Sequence, residues 1–193
     1  MKNKLCFIDV ETTGLNSAVH EIIEIALIIE SADGIHRYST KIKPKYPEHA
    51  DPKALEVNRF SHEEWREAPY DMEVAAEIAS LTAGCTLVGH NVQFDAEFLE
   101  ELLHKCGCKY AARRRKIDTV TLAHEHLSFY PMHSLSALRL FFGMSTVGEH
   151  RALKDCEDMR AIYYLLLRAP RWKRIYWRLR SNYIMWMWKS AKK

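Results

Sequence analysis

No run of about 18 apolar residues occurs in the chain, so no segment is expected to cross a membrane as a helix. The opening MKNKLCFIDVETTG lacks the basic and apolar layout of a secretory leader, because Asp9 and Glu11 come too early. Internal repeats and low-complexity stretches are also missing, which excludes solenoids and biased linkers. Cysteine is scarce and odd in number: Cys6, Cys85, Cys106, Cys108 and Cys156. That pattern does not make a disulfide framework, and reduced thiols in a cytoplasmic protein are expected. Cys106 and Cys108 flank one glycine with no second cysteine pair, which argues against a structural zinc site. Acid is absent from one region: residues 159–193 carry ten Lys or Arg and no Asp or Glu. The other 158 residues hold 18 basic and 25 acidic side chains, a net charge of −7. An acidic body with a basic end points to a polyanionic partner reached through that end.

What is present suits one α/β domain with an appendage. The 193 residues are 48% hydrophobic and 27% charged, enough for a core and a solvated surface. Leu5–Val10, Glu21–Glu30 and Ile35–Ile42 read as successive strands, separated by Thr13-Gly14 and Asp33-Gly34. Leu87–Gly89 reads as a short strand. Helices are expected from Phe94 to about Lys105, near Thr119–Leu127, over Ser134–Phe142, and from about Ala152 to Arg168, stopping before Pro170. Strands followed by alternating helices and strands indicate a sheet covered by helices.

Acidic side chains occur where such a fold places its chemistry. In FIDVETTGL, Asp9 and Glu11 stand two apart on a strand and so share a side. Two like charges roughly 4 Å apart repel by about 4 kcal/mol at an effective dielectric near 20. A shared proton, a bridging cation or screening water must relieve that repulsion. Asp95 follows a strand at the start of a helix. Asp155 falls in a helical stripe with Met159, Ile162 and Leu166, at the buried edge of its helix, where a free carboxylate is costly. His150 lies five residues before Asp155, roughly 140° around a helix. If both serve one site, His150 belongs on the loop before the helix. Four clustered carboxylates suit a pair of divalent cations, and oxygen-only ligands favour Mg²⁺ or Mn²⁺. Such a pair can activate a water and steady the leaving oxygen of a phosphodiester.

With these residues in view, the chain resembles the histidine branch of the DEDD 3′–5′ exonuclease superfamily. That family includes the proofreading epsilon subunit of bacterial DNA polymerase III and ribonuclease T. FIDVETTGL, VGHNVQFD and HRALKDC match its three motifs in order, and the likeness covers about residues 4–168. The resemblance implies a ribonuclease H-like mixed five-stranded sheet with helices on both faces. It implies that Asp9, Glu11, Asp95 and Asp155 are metal ligands and that His150 is the general base. A histidine pKa near 6.5 suits that role at neutral pH. Thr12 and Leu15 match positions that hold the 3′-terminal nucleotide in relatives, with Leu15 as plain core the competing reading. Around the stretch DPKALEVNRFSHEEWREAP the family pattern is Val-His/Asn-Gly-Ile. Asn58 fits it, Arg59 replaces the glycine and Phe60 the isoleucine. Phe60 either stacks on a base or belongs to the core. Asp118 reads as a helix cap or outer-shell residue, and His90 and Asn91 as supports for the loop before Asp95.

Residues 1–168 are thus expected to form an exonuclease domain and 169–193 a basic, aromatic helical extension. In that extension Trp172, Ile175, Tyr176, Leu179 and Tyr183 share one helical face. Packing on the domain, guidance of single-stranded substrate, and docking on a membrane surface or replication partner all remain open uses. The expected activity is release of nucleoside 5′-monophosphates from 3′ ends, with single-stranded DNA the favoured substrate. RNA trimming and a non-catalytic binding module are the alternatives. Removing Asp9 or Asp155 is expected to abolish activity and to relieve repulsion in the metal-free fold.

Overall fold

The computed structural model describes residues 4–147, 151–170, 175–181 and 183. Five strands form one mixed sheet: β1 (Leu5–Thr12), β2 (Ile22–Ser31), β3 (Gly34–Lys41), β4 (Thr86–Gly89) and β5 (Ile117–Asp118), in the order β3-β2-β1-β4-β5. The first three form an antiparallel meander, and β4 and β5 extend the sheet in parallel. The helices are α1 (Pro52–Val57), α2 (Asp71–Thr82), α3 (Val92–Lys105), α4 (Thr119–His126), α5 (Leu135–Phe142) and α6 (Ala152–Arg168). Sheet and helices agree with the expected architecture. Two of these helices, α1 and α2, are not among those expected from sequence. The first is only six residues long, opened by the Asp51 side chain accepting from the Lys53 N–H. The second starts at a capping arrangement in which Glu73 accepts from the Tyr70 N–H at 2.7 Å.

Alternation along β1 explains how the sheet is covered. Cys6, Ile8 and Val10 point to one face, into a core shared with α2 and α3. Phe7 points to the other, where Ala152, Cys156, Met159 and Tyr163 of α6 pack against it. Asp9 and Glu11 follow Phe7 on that second face by strand period. α6 lies so close that the Cys156 thiol meets the carbonyl oxygens of Phe7 and Ala26 at 3.6 and 3.4 Å. A third cluster joins α4, α5 and the end of α6 around Leu138, Phe141, Ile162 and Leu166.

Two local devices set the loops beside β1. Gly89 ends β4 against α3: a Cβ there would lie 2.7 Å from the Val92 Cα, so only glycine allows this approach. Arg59, just after α1, has φ +50°, the left-handed region that side chains with a Cβ avoid. It occupies the position where a helix usually ends in glycine, with the Phe60 N–H reaching back to the Leu55 carbonyl at 2.9 Å. Arg59→Gly is therefore expected to stabilise the protein by about 1 kcal/mol. Equilibrium urea unfolding measures this, and a loss of stability would show that the Arg59 side chain contributes more than its backbone costs.

Residues 175–181 are helical and return to the domain. Trp177 is buried, its ring centroid 5.1 Å from Phe142 and 6.3 Å from Phe141. Ser181 donates to the Phe129 carbonyl at 3.3 Å. Packing therefore uses a different face from the stripe read from sequence: Ile175, Tyr176, Leu179 and Tyr183 are exposed. Trp172 lies outside the described residues. The physical reason is local, since the rings of Phe141 and Phe142 receive one flat indole edge-on.

Candidate active site

The second face of β1 and the first turn of α6 bring three carboxylates together. One oxygen each from Asp9, Glu11 and Asp155 lies within 4.8 Å of the others. Strand alternation aligns Asp9 with Glu11, and the seating of α6 against Phe7 delivers Asp155. Asp95 stands at the first turn of α3, behind the end of β4. The last β1–β4 pair is Phe7–Val88, and beyond it the Val10 N–H donates to Asp95 Oδ1 at 3.1 Å. Asp95 is thus beside the trio, with one oxygen already engaged by backbone. Its loop is held as the sequence suggested. Asn91 adopts φ +73° and donates its N–H to Asp118 Oδ1 at 3.2 Å. Asp118 also caps α4 through Val120 N–H at 2.8 Å, and His90 Nδ1 pairs with Thr119 Oγ1 at 2.9 Å. His150 lies outside the described residues. Its neighbour Arg151 approaches Glu24 at 3.7 Å and Glu64 at 3.5 Å.

Three functional neighbours were missed in the sequence. Arg139 on α5 is buried, donating Nη2 to Asp155 Oδ1 at 2.7 Å and Nε to Asp158 Oδ2 at 2.6 Å. Lys154 also pairs with Asp158. Asp158 is therefore a buried counter-ion. Glu24, opposite Glu11 in the β1–β2 register, is a further buried acid, with Arg151 as its partner. The one available signal was compositional. Arg139 is the single charge in LSALRLFF, an otherwise uncharged helix.

Crowding of these acids raises their proton affinity. Loss of hydration, and then repulsion from Asp95, Asp155 and Glu11, holds Asp9 well above the carboxylate range, with Arg139 opposing. Burial, and then Asp155, Glu24 and Asp95, pushes Glu11 up to about 8. Burial pushes Asp95 up to about 7 despite the Val10 N–H. A folded carboxyl that binds protons more tightly than its unfolded form stabilises the fold below the unfolded pKa. That contribution is lost as pH rises through the folded pKa. The metal-free protein in EDTA is therefore expected to lose thermal stability from about pH 4.5 to about pH 8, the interval that Glu11 spans. Manganese should flatten this slope, because a cation takes the place of the protons. A melting temperature that climbs across the interval in EDTA would contradict the crowding.

A cleft of about 330 Å³ opens beside the acids, lined by Glu11, Thr12, Leu15, Val57, Asn58 and Phe94 among others. Leu15 is 82% exposed over it, which removes the reading of Leu15 as core. Asn58 is buried and donates Nδ2 to the Thr12 carbonyl at 2.8 Å, and Thr12 Oγ1 donates to the Gly14 carbonyl at 2.7 Å. Asn58 and Thr12 therefore shape the cleft by fixing the turn after β1. Phe60 is not brought to it. Its ring packs on Trp65 and His62 at centroid distances of 5.0 and 5.2 Å, and Val57 takes the wall instead.

An all-oxygen cluster against an α/β sheet, with an open cleft next to it, is a donor set of the kind that can hold a divalent cation. Comparisons with known proteins narrow this. The exonuclease family pattern matches residues 6–163. The chain is 32% identical over 163 residues to the DNA polymerase III subunit epsilon of Treponema pallidum, covering 82% of this chain and 74% of that protein. It is 25% identical over 168 residues to the PolC-type DNA polymerase III of Caldanaerobacter subterraneus subsp. tengcongensis, covering 86% of this chain but 12% of that protein. Among solved structures, the E. coli exonuclease I–single-stranded DNA complex superposes with a TM-score of 0.73 at 20% identity, over 89% of this chain and 42% of that one. The chain belongs to the exonuclease family. Its sheet is the ribonuclease H-like mixed sheet expected from sequence. Members use divalent metal ions, and the acidic cluster supplies oxygen donors of the right kind.

Proposed function

We propose that this chain hydrolyses the terminal phosphodiester at nucleic-acid 3′ ends, with single-stranded DNA preferred, and releases nucleoside 5′-monophosphates. The observation that carries this is the approach of Asp9, Glu11 and Asp155 oxygens to within 4.8 Å of one another. Mutual repulsion makes that arrangement costly without cations, so its persistence points to a site for them. Asp9, Glu11, Asp95 and Asp155 would hold two ions, Mg²⁺ or Mn²⁺. When bound, they supply charge that activates water and steadies the leaving oxygen. The chain's own residues do the rest. Leu15, Val57 and Phe94 offer apolar walls for a terminal nucleoside, with Lys53 at the rim for phosphate. Asn58 and Thr12 hold the cleft's shape. His150 takes the proton of the attacking water as general base.

DNA is favoured because the relatives named above are DNA polymerase components and an exonuclease solved with single-stranded DNA. The same relatives support a polymerase as partner, and five free thiols support a cytoplasmic setting. Residues 1–168 constitute the exonuclease body in this reading, and 169–193 its basic extension.

The test uses strands labelled on the 3′-terminal nucleotide, one DNA and one RNA of equal sequence, with manganese and with EDTA. Manganese-dependent appearance of labelled mononucleotide, faster from DNA, is the expected result. Faster release from RNA would reassign the substrate. Binding of strands without release between about pH 6 and 9, an interval that spans the raised Asp95 and Glu11, would make the chain a binding module.

A further inference from the structure

The C-terminal helical segment buries one face and presents the other to solvent. Residues advance by about 100° along a helix, so Ile175, Tyr176, Leu179 and Tyr183 fall within one sector roughly 100° wide. Trp177 and Ser181, which pack on the domain, point roughly the opposite way. Exposures of 65, 54, 65 and 59% for the four show that the domain does not cover this sector. Arg178 and Arg180 flank it on either side by the same helical period. This is the layout of a helix lying in an interface, apolar centre outward with cations at its edges.

We infer that this face docks the protein onto an anionic lipid bilayer surface. Charge selects the sign of the partner: residues 159–193 hold ten Lys or Arg and no acid, so the same segment of a second copy would meet like charge. Shape and polarity select lipid over nucleic acid. Bases stack on flat rings and phosphates pair with cations, and neither uses the branched side chains of Ile175 and Leu179. The sequence from residue 184 onward continues the same chemistry, with Ile184, Met185, Trp186, Met187 and Trp188 before Lys189, Lys192 and Lys193. Tryptophan and tyrosine favour the bilayer–water boundary, and lysine reaches the headgroups. No helix among the described residues is long and apolar enough to cross a membrane. The inference is independent of the catalytic site.

Co-sedimentation of the full chain with lipid vesicles tests it. Vesicles of phosphatidylcholine with phosphatidylglycerol are expected to bind about tenfold or more tightly than phosphatidylcholine alone, less so at high salt. Substituting both Ile175→Asp and Leu179→Asp at these exposed positions should weaken that binding about tenfold. Thermal stability and cleavage of a short oligonucleotide in solution should stay unchanged. Equal binding to both vesicles, no binding to either, or undiminished binding by the double variant would overturn it. So would a variant that instead loses oligonucleotide affinity or breaks up a dimer in sedimentation velocity, since those results give the face to nucleic acid or to a second copy.

Discussion

Asp9→Asn and Asp155→Asn should each lower mononucleotide release by about 10²–10³-fold or more, while moving the stability of the metal-free protein in opposite directions. Loss of activity follows from the cluster itself: each residue contributes one of three converging oxygens, and an amide there carries no charge for a cation. Stability separates them. Asp9 is pressed by Asp95, Asp155 and Glu11, and its carboxyl resists ionisation. Neutralising it removes repulsion, so Asp9→Asn should melt in EDTA at or above the wild-type temperature. Asp155 repels the same neighbours but also accepts from Arg139 at 2.7 Å. Replacing it leaves a buried guanidinium with one charged partner fewer, a loss of about 1–3 kcal/mol. The expectation from sequence that both substitutions relieve the fold is thus kept for Asp9 and revised for Asp155. Urea melts in EDTA beside release assays in manganese measure both effects. An Asp155→Asn protein more stable than wild type would mean that the Arg139 pair contributes nothing.

Arg139→Leu should cost about 3–5 kcal/mol, the largest effect on stability expected from one substitution here. The guanidinium is 1% exposed and bridges Asp155 and Asp158. Its removal takes the shared cation from two buried carboxylates three residues apart on α6, while Lys154 stays paired with Asp158. Arg139→Lys retains the charge but not the planar fork, so it should recover part of the loss, since one ammonium cannot hold both acids in the same geometry. The ordering wild type, then Lys, then Leu in the urea midpoint is the measurement. If Leu matched wild type, hydrophobic packing in α5 would be compensating fully for the ion pair.

The approach of Asp9, Glu11 and Asp155 was legible in the sequence because two short-range periods carry the information, whereas the place of Asp95 beside them was not. A repeat of two puts Asp9 and Glu11 on one side of β1, and a repeat near 3.6 puts Asp155 beside Met159 and Ile162 on α6. Partners across elements were not legible. A single arginine among apolar residues reads as a helix edge until α5 is seen against α6, and Glu24 reads as a strand acid until its register with Glu11 is known. Phe60 followed the same rule. Its identity allowed either a base or the core as its surroundings, and the packing after α1 sets its ring against Trp65.

Local covalent order therefore determined the elements, the acids and the side of each element they occupy, since backbone geometry dictates where neighbouring side chains point. Tertiary structure decided the counter-ions, the wall of the cleft and the face by which the C-terminal segment attaches. Trp177 packs inward and Ile175 and Leu179 outward because the slot between Phe141 and Phe142 fits an indole. Periodicity shows that a helix has faces, but complementarity with distant residues selects the one that is buried.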